Sequence, residues 1–108
     1  MHYDAEHMPK LFVIRYLPIA QEDLNNIFDW IAKDSPARAL SFVDKIDKRI
    51  GALSHSSHLG RIPRNAKLRE YGYRVLILDS YLVFYVIHDK TIQIHRVVHA
   101  SRNLDHLI

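Results

Sequence analysis

The residues of this chain best suited to chemistry are histidines, arginines and tyrosines. Of its eight histidines, His55 and His58 stand three apart in a stretch without apolar periodicity, and His95 and His99 stand four apart in a β-branched run. In a strand that even spacing puts His95 and His99 on one face but about 13 Å apart, too far to share one ion. Neither pair has a cysteine or carboxylate beside it at metal-ligand spacing, so no metal or other cofactor is expected. For general acid–base work near neutral pH the candidate is His99, with Arg102 close behind it and Arg74 on a neighbouring strand to supply positive charge. The ordinary alternative is a strand-end histidine satisfied by local hydrogen bonds. Tyr71, Tyr73, Tyr81 and Tyr85 interleave with Arg69 and Arg74, a pattern that could stack bases beside a phosphate-binding strip. In strands, however, such aromatics more often form core or cross-strand pairs. A nucleophile elbow and a glycine-rich phosphate loop are both missing, since the three glycines are isolated.

The charge pattern adds a surface to these side chains. The formal net charge is +3 and the pI near 9.3. Between Arg49 and Arg74 the basic residues are Arg49, Arg61, Arg64, Lys67, Arg69 and Arg74, and Glu70 is the only acid. Between Glu22 and Asp47, by contrast, acids offset the bases. One side of the molecule should therefore be positive, either to attract an acidic protein segment or a phosphate backbone, or simply as a solvated face.

The elements that must position these groups are legible from periodicity and punctuation. Tyr71–Leu78, Tyr81–His88 and Thr91–His99 are rich in β-branched and aromatic residues, and only Asp79-Ser80 and Asp89-Lys90 separate them. Two-residue links force an antiparallel meander. Gly72 is a candidate bulge near its start. Upstream, Lys10–Leu17 reads as a strand stopped by Pro18, which also suits the first turn of a helix. Glu22 and Asp23 are expected in that turn, complementing the helix dipole. Leu24, Ile27, Phe28 and Ile31 mark its buried stripe, ending near Lys33-Asp34. Ser35 caps a second helix that starts at Pro36 and buries Leu40, Val43, Ile46, Ile50 and Leu53. The short link between the helices predicts an antiparallel hairpin. Ser54–Ala66 reads as a loop with a turn at Gly60–Pro63, and Ser101–Ile108 as a short helix using Leu104, Leu107 and Ile108.

The β–α–α–β–β–β order predicts an α+β fold: an antiparallel sheet of about four strands with an N-terminal two-helix hairpin packed on one face. With 108 residues, one domain is expected over 10–108, and 1–9 read as a disordered extension or an appended tail. No apolar run approaches the roughly 20 residues of a membrane helix. The start lacks a signal-peptide pattern and cysteine is absent, so a cytoplasmic protein without disulfides or thiol chemistry is expected.

From Lys10 onward the chain resembles toxins of the RelE/ParE superfamily from bacterial type II toxin–antitoxin modules. The likeness is carried by Ala20-Gln21-Glu22-Asp23-Leu24, Tyr73-Arg74-Val75-Leu76 and Tyr81-Leu82-Val83-Phe84-Tyr85. The closing Arg96-Val97-Val98-His99-Ala100-Ser101-Arg102-Asn103 is similar to the ending of the ParE-like, plasmid-stabilisation branch. The resemblance implies a small antitoxin partner whose acidic, amphipathic segment wraps the toxin. It would lie in the groove between the helix hairpin and the sheet, together with the basic strip. Arg61, Arg64, Lys67, Arg69, Tyr81 and Arg96 are the expected target- or antitoxin-binding residues. Two activities follow from the family: poisoning of DNA gyrase without bond cleavage, or ribosome-dependent mRNA cleavage. The cleaving branch places Arg directly before the Leu-Val-Tyr of the middle meander strand, where this chain has Tyr81. The resemblance therefore implies a ParE-like gyrase inhibitor. The alternative is an mRNA endoribonuclease using Arg74, His99 and Arg102.

Overall fold

A computed structural model describes residues 12–102. Strand β1 (Val13–Tyr16) runs into α1 (Pro18–Ala32) and α2 (Pro36–Gly51), followed by a 3₁₀ turn (Ala52–Ser54) and a short α3 (Ala66–Glu70). Then come β2 (Arg74–Leu78), β3 (Tyr81–His88) and β4 (Thr91–His99). The expected N-terminal extension and the helix over Ser101–Ile108 fall mostly or wholly outside the described residues.

Proline starts both long helices, and Ser35 accepts the Arg38 N–H at 3.2 Å as the cap of α2. The buried stripe of α2 is Ala39, Ile46 and Ile50. Leu40, expected inside, is 64% exposed, because the stripe turns inward one residue earlier. Glu22 and Asp23 lie in the second turn of α1, since the helix begins at Pro18. Asp23 is buried there and serves a tertiary contact rather than the dipole.

The sheet order is β1-β4-β3-β2. The meander is antiparallel as expected, whereas β1 lies parallel to β4, so the sheet is mixed. A parallel pair needs a long crossover, which the helical segment supplies. The turn residues Asp79 and Asp89 both take φ of 54°, a left-handed conformation that aspartate tolerates through its short polar side chain. The bulge falls not at Gly72 but on β4. Phe84 pairs with Arg96 and Tyr85 with Ile94, which leaves His95 as the extra residue. Gly72 (φ 80°) instead terminates α3. Its N–H bonds the Arg69 carbonyl and the Tyr73 N–H bonds that of Leu68, closing the last turn.

The hairpin side of the sheet carries the main core, including Leu24, Ile27, Ile46, Ile50, Tyr85 and Ile94. Burial of each such side chain contributes roughly 1.5–3 kcal/mol. The opposite side holds a smaller cluster of Leu68, Val75, Phe84 and Val98, with Tyr73 and Leu82 packed against it. Between these layers, β4 outruns β1, whose pairing ends at Tyr16 opposite Ile94. Asp23 closes the exposed edge: it accepts the Val97 N–H at 2.9 Å and binds the Arg96 guanidinium at 2.8 and 3.0 Å.

Candidate partner-binding face

The segment between the 3₁₀ turn and α3 crosses the edge of β2 from one face of the sheet to the other. On the hairpin face it is pinned by two side chains. The Tyr85 hydroxyl donates to the Ser57 carbonyl at 2.8 Å and accepts the Gly60 N–H at 2.9 Å. Arg74, of the same strand parity as the core residues Leu76 and Leu78, donates to the carbonyls of Gly60 (2.8 and 3.1 Å) and His58 (3.2 Å). A side chain at Gly60 would meet the Tyr85 ring at 2.7 Å, so glycine is required by close approach. Arg61 then makes a two-bond bridge to Val75, at 2.7 and 2.8 Å, and leads onto the second face.

There α3, capped by Asn65 on the Leu68 N–H at 3.1 Å, holds one wall of an apolar groove of about 290 Å³. Val75 and Ile77 of β2 with Leu82 and Phe84 of β3 form the floor, and Arg61 and Arg64 stand at the rim. Ile62 and Ile77 are 60% and 44% exposed. Arg61, Arg64, Lys67 and Arg69 are all exposed, and none has a carboxylate within ion-pair distance among the described residues. Arg69 instead donates to the Arg64 carbonyl at 2.9 Å, fixing the loop before α3.

Four of the expected binding residues are thus gathered on one surface. That surface is the face away from the helix hairpin, so the hairpin groove and the basic strip are two separate places, not one. Arg96 does not belong to either. Its side chain is 13% exposed, and hydrogen bonding to Asp23 holds its pKa above the ordinary value. It ties α1 to β4 and presents no surface charge. Tyr81 is half-buried between the rings of Phe42 (5.5 Å) and His99 (5.3 Å).

The three expected catalytic residues are not brought together. His99 pairs with Tyr81 at one end of the sheet, whereas Arg74 pairs with Tyr85 four residues further along, a separation of about 13 Å along the strand alone. His99 and Arg102 do share a small pocket with Trp30 and Tyr81. The Ser101 N–H donates to His99 Nδ1 at 3.1 Å, which leaves the proton of the neutral ring on Nε2.

The bulge gives β4 a second consequence. His95 faces the second side, where its Nδ1 lies 2.7 Å from the Tyr73 hydroxyl and its Nε2 3.3 Å from Gln93 Oε1. His99 packs on Tyr81, on the hairpin side. The even spacing that predicted one shared face therefore fails. Burial pushes Tyr73 up and His95 down from their ordinary pKa values. Sequence reasoning missed this pair, and the Asp23–Arg96 pair as well. Neither leaves a local signal, because the partners lie 22 and 73 residues apart.

The fold matches the chromosomal ParDE toxin–antitoxin system of P. aeruginosa with a TM-score of 0.69 and 23% identity, over 84% of this chain and 98% of that one. It also matches the RelBE2 toxin–antitoxin complex of Mycobacterium tuberculosis, with a TM-score of 0.53 and 23% identity, over 82% and 90%. No curated protein sequence gives a significant match. Residues 14–104 match the sequence model of the ParE toxin of the type II toxin–antitoxin system parDE, and the chain belongs to that family of RelE/ParE superfamily toxins.

Proposed function

We propose that this protein is a ParE-like toxin that inhibits growth by poisoning DNA gyrase and is neutralised by a cognate antitoxin. The observation that carries the reading is how its cations are disposed. Cleavage of a phosphodiester needs positive charge and an acid–base group converging on one phosphate. Here Arg74 is bonded to two backbone carbonyls, Arg96 is held by Asp23, and His99 with Arg102 stands at the other end of the sheet. The position where the superfamily's cleaving branch carries Arg is Tyr81, enclosed by Phe42 and His99. The groove beside the basic cluster is floored with aliphatic side chains and the buried Phe84 ring. Membership of the ParE family supports the same reading, and the match to two toxin–antitoxin systems supports the antitoxin partner.

A gyrase poison acts by contact, trapping the cleaved DNA–enzyme complex without breaking bonds itself. The test uses purified chain released from its antitoxin, with one arm on gyrase and plasmid DNA and another on ribosomes programmed with mRNA. Linearised plasmid accumulating with intact mRNA is expected. Codon-positioned mRNA cuts with normal supercoiling would overturn the reading and return Arg74, His99 and Arg102 to catalytic roles.

A further inference from the structure

We propose that a second pocket on the same face, toward the β3–β4 turn, binds an adenine ring between Tyr71 and the linked side chains of Tyr73, His95 and Gln93. The site is separate from the gyrase and antitoxin reading and does not depend on it. Its volume is about 460 Å³, and it shares no residue with the basic groove. Arg74 and His99 lie on the opposite, hairpin side of the sheet.

The β4 bulge brings His95 into this pocket, and its hydrogen bonds fix a direction. His95 Nε2 lies 3.3 Å from Gln93 Oε1, an acceptor, so the ring proton sits on Nε2. Nδ1 then accepts from the Tyr73 hydroxyl at 2.7 Å. Burial raises the Tyr73 pKa and lowers that of His95, which keeps both groups neutral at physiological pH. The chain from Tyr73 through His95 to Gln93 leaves two capacities unspent. One is the Gln93 amide NH₂, which has no protein partner among the described residues. The other is the remaining lone pairs on the Tyr73 and Gln93 oxygens.

The lining decides the class of ligand. Tyr71, Tyr73, Val86, His88, Gln93 and His95 surround the space, and no carboxylate, ammonium or guanidinium lines it. A phosphate or an ammonium group placed here would lose its water without gaining a countercharge. A flat, uncharged ring with donors and acceptors on its edge loses little and gains a stacking partner, because Tyr71 is 60% exposed. Glutamine matches adenine in particular: the amide oxygen accepts from N6 while the NH₂ donates to N7. Of the tyrosines interleaved with arginines in the sequence, Tyr71 and Tyr73 line this pocket and neither Arg69 nor Arg74 does. The site therefore takes a base without a phosphate strip beside it. Lacking a cation to stabilise charge on phosphorus, it binds and does not cleave. The adenine can belong to a free nucleoside or to an unpaired position in a strand.

The experiment titrates the full-length chain with adenosine, with uridine and with a short single-stranded oligodeoxyadenylate, following the histidine ring resonances by NMR. Adenosine should shift His95 and bind more tightly than uridine. Tyr71→Ala should weaken it about tenfold through lost stacking, whereas Tyr71→Phe should bind as the wild type does. Gln93→Leu should also weaken adenosine about tenfold and erase the preference over uridine. Both side chains are at least partly exposed, so the fold should survive these changes. Tighter, salt-dependent binding of the oligonucleotide would identify a strand as the source of the base, and equal binding of adenosine a free nucleoside; either supports the site. No shift at His95 with adenosine or oligonucleotide overturns the proposal. So does equal affinity for adenosine and uridine, wild-type affinity in both Tyr71→Ala and Gln93→Leu, or choline binding more tightly than adenosine.

Discussion

On the hairpin side of the sheet, two helices of 15 and 16 residues bury a continuous core. On the other side the cover is a five-residue helix and one loop, and large apolar side chains remain in contact with solvent. The polar groups differ as well. On the hairpin side and along the β4 edge they are internally paired: Tyr16 to Asp47, Asp23 to Arg96, and Arg74 to the loop carbonyls. On the second face the arginines and Lys67 have no acidic partner among the described residues. One side therefore carries the stability, and the other leaves apolar and basic side chains at the surface. Charge changes should unfold the protein when made in the first group and only weaken its partnerships when made in the second.

The largest effect should come from Asp23→Ala. It strands the Arg96 guanidinium and the Val97 N–H in a largely buried site, and should cost about 3–5 kcal/mol in chemical denaturation. A loss below about 1 kcal/mol would mean the β4 edge is sealed by something else. Next is Tyr85→Phe, which leaves the Ser57 carbonyl and the Gly60 N–H without their buried partner. A loss of about 2 kcal/mol is expected, with faster amide exchange over 57–61. Asn65→Ala removes the cap of α3 and should cost about 1 kcal/mol. Its sharper readout is antitoxin binding, since α3 walls the groove.

The smallest effects are titrations. Burial lowers the His95 pKa below its ordinary 6.5, so the unfolded chain takes up the proton first. Its contribution to stability is present above about pH 6.5 and is lost as pH falls through the depressed value. His95→Gln should flatten that acid limb of a denaturation series. Tyr16 acts at the other extreme. Burial, followed by its 2.8 Å hydrogen bond to Asp47, raises its pKa, so its contribution is intact below pH 10 and lost as pH climbs through the raised value. Tyr16→Phe should remove that alkaline sensitivity.

Local patterns in the sequence were enough for most of the fold. The bounds of β3 and β4 coincide with their β-branched runs, because two-residue aspartate turns leave no freedom in where the strands stop. Proline and Ser35 place the helix starts equally well. What escaped is non-local or very short. The parallel pairing of β1 with β4 depends on which sheet edge is free, a property of the assembled meander. Helix α3 is too brief to show periodicity, although Asn65 and Gly72 are ordinary start and stop signals in retrospect. The bulge at His95 has no glycine to announce it, and it alone reversed the face of one histidine. For the candidate site, the basic cluster from Arg61 to Arg69 was visible as charge. Its separation from Arg74 and Arg96 was not, since whether an arginine is free or bonded depends on carbonyls and carboxylates brought together by the fold.

The division between the two faces can be tested directly, because the sequence contains no cysteine. Single-cysteine variants at Ile77, in the groove, and at Leu40, on the outer surface of α2, can be alkylated with a maleimide in the free chain and in the saturated antitoxin complex. Both positions are exposed in the free chain, at 44% and 64%, so both should react there. In the complex, labelling at position 77 should slow strongly and by more than at position 40. Labelling at 77 at its free-chain rate, with protection confined to position 40, would contradict the assignment of the second face as the docking surface.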